Sequence, residues 1–132
     1  MEASISVKQS KNQEVKKSVG KFLVRIGLFA NLKGFNYILS AVDEVLANPN
    51  CLNSIMKELY PKIAQKFNVT TSGVERNIRN AIEVAYNKGK LFAVANTFYG
   101  ANFAKYEKPT NGEFLAFIFS TFGSDDLEEK FA

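Results

Sequence analysis

The residues between positions 72 and 86 combine side chains that can recognise the bases of duplex DNA. Arg76 and Arg79 are the strongest candidates, because a guanidinium group can bond O6 and N7 of guanine together. Glu75 can accept a hydrogen bond from the cytosine amino group, and Asn80 is suited to adenine. When each residue of a helix is turned by roughly 100°, one polar face contains Ser72, Arg76, Arg79, Asn80 and Glu83, with Glu75 and Tyr86 on its flank.

A helix that reads bases must be braced by a second helix, and residues 63–83 predict that arrangement. One helix ends near position 67, a polar turn covers residues 68–71, and a second helix covers about residues 71–88. Ala64 stands where two crossing helices need a small side chain. This spacing is typical of a helix-turn-helix, whose second helix lies in the major groove. The side chains expected to hold the two helices together are Ile63, Phe67, Val69 and Val74, and the buried stripe of the second helix is expected to contain Val74, Ile78, Ala81 and Ala85.

Simpler interpretations of the same residues remain open. Arg79 and Glu83 are four positions apart and could form an ordinary surface ion pair. Ser72 and Glu75 have the spacing of a capping box. Asn77 is polar at a position that is often apolar in this motif, so Ile78 takes the buried place. Helix-turn-helix patterns also occur in proteins that bind no nucleic acid, although the residues favour DNA reading.

The flanking sequence predicts an all-α, compact six-helix domain. Pro61 has no backbone N–H, so it either kinks a helix or begins a new one, and a new helix that starts there is the favoured interpretation. Thr110 and Glu113 have the capping-box spacing and mark the start of the last helix, for which a strand is the minor alternative. Helices are expected over residues 14–26, 35–46, 61–67, 71–88, 90–98 and 111–122, with a loop over residues 100–109.

Length and charge predict one domain with two polar ends. A chain of 132 residues is long enough for one core and too short for two ordinary ones. We expect a flexible polar arm over residues 1–13, the domain over 14–122 and an acidic tail over 123–132. In the tail Asp125, Asp126, Glu128 and Glu129 oppose Lys130 alone, so that a total charge of +4 divides into −3 there and +7 on the remainder. The tail could screen a basic face, but a solvated end is the favoured interpretation.

The composition gives little support to an enzyme, a metal site or a membrane protein. The chain has no histidine, no glycine-rich phosphate loop and one cysteine. We therefore expect no cofactor and no metal. Cys51 is expected to be a packing residue, with a redox sensor of lowered pKa as the alternative. The longest apolar run, Phe114–Phe119, is far shorter than the roughly 18 residues of a membrane span. These features predict a cytoplasmic protein.

The chain resembles the C-terminal DNA-binding effector domain of the master sporulation response regulator of spore-forming Firmicutes. The matching segments are IG at 26–27, LKGFNYI at 32–38, ELYPKIAQKFNVTTSGVERNIRNAIEVAYNKG at 58–89 and KPTNGEF at 108–114. The resemblance implies six helices, a bacterial regulator that is on the nucleoid when bound, and double-stranded DNA as the partner. It also implies a homodimer on tandem boxes, and RNA polymerase or a full-length regulator as further partners. The implied base-reading residues are Glu75, Arg76 and Arg79, the implied other DNA contacts are Lys66, Thr71, Ser72, Asn80 and Lys88, and the implied protomer contacts lie in Phe114–Phe119, at Phe114, Phe117 and Ile118.

The departures from this family suggest a second function. Gly73 and Asn80 occupy positions where relatives carry basic or imidazole side chains, which weakens the expected grip on phosphate. Residues 1–25 cannot supply a phosphorylated receiver domain, which needs on the order of 100 residues. The chain is then either an isolated effector domain or a free-standing paralogue, and Met1 with the two polar ends favours the paralogue. The alternative function is a DNA-independent antagonist that pairs with a full-length regulator through the last helix.

Overall fold

The computed structural model describes residues 2–100 and 107–123, with side chains from residue 10 onward. Within these residues the fold is all-helical, which confirms the predicted fold class. A 3₁₀ turn at Pro49–Ser54 and a π-helical turn at Ile55–Leu59 join the second helix to the third. The six α-helices are α1 (Glu2–Arg25), α2 (Lys33–Ala47), α3 (Tyr60–Phe67), α4 (Thr71–Asn87), α5 (Leu91–Tyr99) and α6 (Asn111–Phe122).

The first helix begins twelve residues earlier than the sequence pattern suggested. Helix α1 starts at Glu2, whereas we expected helical order from near Glu14. The reason is local propensity, because residues 2–19 contain no glycine or proline and are rich in Lys, Gln and Glu, which are good helix formers. Apolar side chains recur at helical spacing only from Val15 onward, so apolar periodicity did not detect the first part of the helix. The division into arm, domain and tail stays a prediction, and most of the acidic tail and of the 100–109 loop lies outside the described residues.

All six helices contribute to the core, and one part of it lies where α1 and α6 meet. The Phe22 ring is fully buried and lies 5.3 Å from the ring of Phe117, 5.7 Å from that of Phe122 and 6.4 Å from that of Phe114, measured between centroids. Ring pairs at these distances add to the free energy of apolar burial. The α6 side chains of Phe114, Leu115, Ile118 and Phe119 are all buried. Helix α6 therefore belongs to the core of its own chain.

Helices α2 and α4 cross closely at Gly34. A Cβ atom built on Gly34 would collide with the backbone carbonyl oxygen of Asn77 and lie 2.7 Å from Cβ of Ala81. Only glycine therefore permits this crossing distance. Because Asn77 and Ala81 are in the middle of α4, the crossing holds α4 against α2 by its inner face.

Cys51 is a packing residue. Its side chain is buried in the 3₁₀ turn, and burial raises the pKa of the thiol above its ordinary value of 9.0 despite the opposing influence of Lys62. A redox sensor requires a lowered thiol pKa, so that alternative is wrong.

No helix in the described part of the chain is long and apolar enough to cross a bilayer.

Candidate nucleic-acid interface

Asn68 makes the turn between α3 and α4. It has φ 55° and ψ 50°, and no other non-glycine residue in the described ranges has a positive φ. The Val69 N–H donates to the Ala64 carbonyl at 2.9 Å, and the Asn68 N–H donates to the Gln65 carbonyl at 3.3 Å. These two bonds form a Schellman motif, which ends α3 and redirects the chain. Asparagine tolerates this left-handed conformation better than other residues with a side chain.

Thr70 caps the N-terminus of α4. Its hydroxyl oxygen accepts a hydrogen bond from the Gly73 N–H at 2.9 Å. The cap is therefore Thr70, and the capping box suggested for Ser72 and Glu75 is wrong, because Ser72 lies within the first helical turn. A Cβ on Gly73 would lie 2.9 Å from the Thr70 hydroxyl. Gly73, which looked like a loss of basic charge, leaves room for this cap.

The inner face of α4 is buried as the helical period predicted. Val74, Ile78, Ala81 and Ala85 are all buried, and Ile82, which the prediction omitted, is buried with them. Ile63 and Ala64 form the α3 side of the contact. Two of the four side chains expected to hold the helices together, Phe67 and Val69, are not buried between them.

Phe67 and Val69 are 38% and 39% exposed, since both lie at the Schellman turn where the chain leaves the core. The centre of the Phe67 ring lies 5.0 Å from that of Tyr37, a buried residue of α2.

The outer face of α4 is an exposed polar stripe. Arg76 lies at its centre and has no hydrogen-bond or ion-pair partner among the described residues. Thr71 is half-buried, and the Ser72 hydroxyl lies 3.5 Å from that of Thr70. Arg76 is thus the cation of α4 that can meet a ligand without breaking an existing interaction. The exposed members of the stripe are Ser72, Arg76, Arg79, Asn80 and Glu83.

The other charges of α4 are paired differently from the expected pattern. Arg79 donates to the carboxylate of Glu75, one turn before it, rather than pairing with Glu83. Glu83 instead lies 3.8 Å from the ammonium of Lys108, which precedes α6. Glu75 and Glu83 are both four residues from Arg79, so either could form an i,i+4 pair with it. The contact between Glu83 and Lys108 joins distant parts of the sequence and has no local spacing that predicts it. The Glu75 carboxylate is held toward Arg79 on the flank of the stripe.

Two lysines expected to contact DNA already have partners within the chain. The Lys66 ammonium lies 3.6 Å from Oδ2 of Asp43, to which Lys16 also donates at 2.7 Å. Lys88 donates to the Gly27 carbonyl at 2.6 Å and lies 4.8 Å from the centre of the Phe29 ring. Lys66 keeps a half-exposed side chain near the turn, whereas Lys88 ties the end of α4 to the end of α1.

Asn111 is a functional candidate that the sequence did not reveal. Its side-chain amide donates to the hydroxyl of Tyr60 at 3.0 Å and to the backbone carbonyl of Glu75 at 3.0 Å. Tyr60 is buried at the start of α3, and this burial raises the pKa of its hydroxyl against the opposing hydrogen bond from Asn111. The capping box marked the place of Asn111 but not its distant partners.

The predicted protomer contacts divide between the core and the rim. Phe114 and Ile118 are fully buried, so they offer no side-chain surface to a second copy in this structure. Phe117 is partly buried against the core, while Ala116 and Ser120 on the same helix are exposed.

The fold and this interface define an all-α helix-turn-helix domain. Residues 19–122 match the family model described as sporulation initiation factor Spo0A C terminal. Because the match covers most of the chain, the protein belongs to this family of sporulation effector domains. The family is one of DNA-binding transcription regulators and not of enzymes.

Proposed function

We propose that this chain binds duplex DNA in a sequence-specific manner and regulates transcription through α4. The observation that carries the proposal is the exposed polar stripe of α4, with Arg76 unengaged at its centre and the opposite face fully packed. A helix fixed by its inner face can present its outer face to base edges at little entropic cost. At 1.5 Å per residue, the 17 residues of α4 extend about 25 Å, and the major groove, about 12 Å wide, admits an α-helix.

The stripe assigns different roles to its members. Arg76 is the principal base reader, and Glu75 and Arg79 read bases as a pair whose mutual bond sets their orientation. A bidentate contact from an arginine guanidinium to O6 and N7 distinguishes guanine from the other bases. The residues proposed for the remaining DNA contacts are Lys66, Thr71, Ser72, Asn80 and Lys88. Of these, Lys88 is the weakest candidate, because it must first release the Gly27 carbonyl.

On tandem boxes, we assign the contact between neighbouring copies to the outer face of α6. Ala116 and Ser120 are exposed there, and Phe117 is partly buried. The burial of Phe114 and Ile118 also weighs against the alternative function. Neighbouring copies on tandem sites are held together by DNA as well, whereas an antagonist that captured a full-length regulator through α6 without DNA would need a larger apolar face there. Phe114 and Ile118 are already used by the core.

A gel-shift titration tests the proposal with two duplexes of equal length. The matched duplex carries the DNA box recognised by the sporulation family, and the scrambled duplex carries the same bases in another order. We expect the full chain to shift the matched duplex at a concentration on the order of a thousandfold lower than the scrambled one. Equal shifts of both duplexes would overturn sequence-specific reading. If neither duplex shifts, co-elution with a full-length regulator in gel filtration would establish the antagonist instead.

A further inference from the structure

The side chain of Asn111 joins three helices at one point. It belongs to the first turn of α6, and its amide donates to the Tyr60 hydroxyl of α3 and to the Glu75 carbonyl of α4, both at 3.0 Å. An amide nitrogen has two hydrogens, so both donors are used. A helix carbonyl has two lone pairs, so Glu75 can accept from Asn111 without losing its own helical bond.

The first turn of α6 is itself held firmly, so Asn111 is a fixed point. The Thr110 hydroxyl accepts from the Glu113 N–H at 3.1 Å, and the Glu113 carboxylate accepts from the Thr110 N–H at 3.0 Å. Pro109 is buried, and Lys108 contacts Glu83 two turns further along α4. The segment from Lys108 to Asn111 therefore lies along α4 and contacts it at both ends.

We propose that Asn111 is a positioning residue for sequence reading, an inference that rests on the function proposed above. It bonds to the backbone of Glu75, in the same turn of α4 that carries Arg76 and begins the ion pair with Arg79. The bond fixes the rotation of this turn relative to α3 and α6. Without it the inner face of α4 remains packed, but this turn loses its hydrogen bond to α6, and the base readers on its outer side are held less precisely.

Three variants separate positioning from simple stabilisation. Asn111→Ala removes both hydrogen bonds. Tyr60→Phe removes only the hydroxyl and leaves the bond from Asn111 to Glu75, which makes it the matched control. Asn111→Ser keeps a small polar first-turn residue that is too short to bridge the helices, and it replaces the alanine variant if that variant does not fold.

Two measurements are made on each folded variant. The first is the ratio of the dissociation constants for the scrambled and matched duplexes. We expect Asn111→Ala to lower this ratio on the order of tenfold, which is comparable to the free energy of one hydrogen bond. Tyr60→Phe should leave the ratio within about twofold of the wild-type value. The second is amide hydrogen exchange without DNA. Exchange at residues 75–79 should become about tenfold faster in Asn111→Ala, with residues 82–87 unchanged.

The two measurements give distinguishable failures. An unchanged ratio together with an even rise in exchange along α4 would overturn the positioning role and leave the proposed function intact. If the wild-type chain does not discriminate between the duplexes, the proposed function fails, and the exchange pattern alone then decides whether Asn111 positions this turn of α4. A ratio lowered equally by Tyr60→Phe would also contradict the inference, because it would trace the effect to Tyr60.

Discussion

Each cation near the helix-turn-helix can do only what its existing partners permit. Arg76 has no partner among the described residues, so its guanidinium can bind a base without an exchange. Arg79 is paired with Glu75. Lys66 shares Asp43 with another lysine, and its half-exposed side chain loses only a surface ion pair if it turns to a phosphate, an interaction worth about 0–1 kcal/mol.

Replacing Lys66 should weaken DNA binding without changing sequence preference. Lys66→Gln removes one phosphate contact, so matched and scrambled duplexes should lose affinity by the same factor. The slope of log affinity against log salt is negative, and its magnitude should decrease by about 0.9. Lys21→Gln is the control, because it removes the same charge from an exposed lysine of α1, which is not part of the helix-turn-helix formed by α3 and α4. A loss confined to the matched duplex would show that Lys66 reads bases.

The capping box of α6 should make part of the stability depend on pH. The backbone N–H and then the hydroxyl of Thr110 hold the pKa of Glu113 below its ordinary value of 4.5. A lowered pKa means that the folded state prefers the charged carboxylate, so its contribution is complete above the unfolded pKa and is lost as the pH falls through the folded pKa.

Glu113→Gln keeps a hydrogen-bond acceptor but does not titrate. Denaturation of the two proteins between about pH 3 and pH 7 should give a stability difference that favours the wild type most above the ordinary Glu pKa and shrinks in acid. A difference that is constant across this range would contradict the role of the Glu113 charge.

At this scale the sequence predicts which residues lie on the outer face but only some of their partners. The helical period places Arg76, Asn80 and Glu83 correctly on one side of α4. Glu75 and Glu83 are both four residues from Arg79, but the order with the acid N-terminal to the base is the more stable, so the i,i+4 rule favours Glu75, the partner found. The helical period gives no sign of the bond from Lys88 to Gly27, which joins residues 61 positions apart.

Among the helices, the crossing of α2 and α4 should be the most sensitive to added volume. Gly34→Ala places a methyl group against the Asn77 carbonyl, a backbone atom that cannot move aside without shifting α4. We expect the free energy of unfolding to fall by about 1–3 kcal/mol. Chemical denaturation measures this directly.

Gly20→Ala is the matched control for this substitution. Gly20 lies inside α1, and a Cβ there would meet only Cδ2 of Leu39 at 3.9 Å, an ordinary contact. Alanine is the better helix former, so this variant should gain about 0.5–1 kcal/mol. Equal losses in both variants would mean that the α2–α4 crossing is not unusually close.

Helix ends were predictable where a specific residue forms them. Pro61 lies in the first turn of α3, and the Thr110–Glu113 capping box begins α6 as expected. The start of α1 at Glu2 was not predictable from apolar periodicity, because residues 2–13 carry no regular apolar spacing. The π-helical turn at Ile55–Leu59 was not predicted.

For the whole molecule, the exposed stripe of α4 predicts DNA binding without activation. Nothing in the described part of the chain covers Arg76, so the purified 132-residue protein should bind the matched duplex without a phosphoryl donor. Adding a small-molecule phosphoryl donor should change the dissociation constant by less than about twofold, a free-energy change below about 0.4 kcal/mol. A tenfold gain in affinity on adding the donor would contradict this prediction, because it would show that phosphorylation activates the protein.

The central claim is that Arg76 reads sequence from the centre of the α4 stripe. The decisive measurement is the ratio of dissociation constants for scrambled and matched duplexes in the wild type and in Arg76→Ala, with thermal unfolding of both proteins as the check on folding. We expect the ratio to fall by about 5- to 160-fold, which corresponds to a loss of about 1–3 kcal/mol of discrimination, with an unchanged melting temperature. An unchanged ratio in a folded Arg76→Ala variant would contradict the assignment of α4 as the helix that reads the DNA sequence.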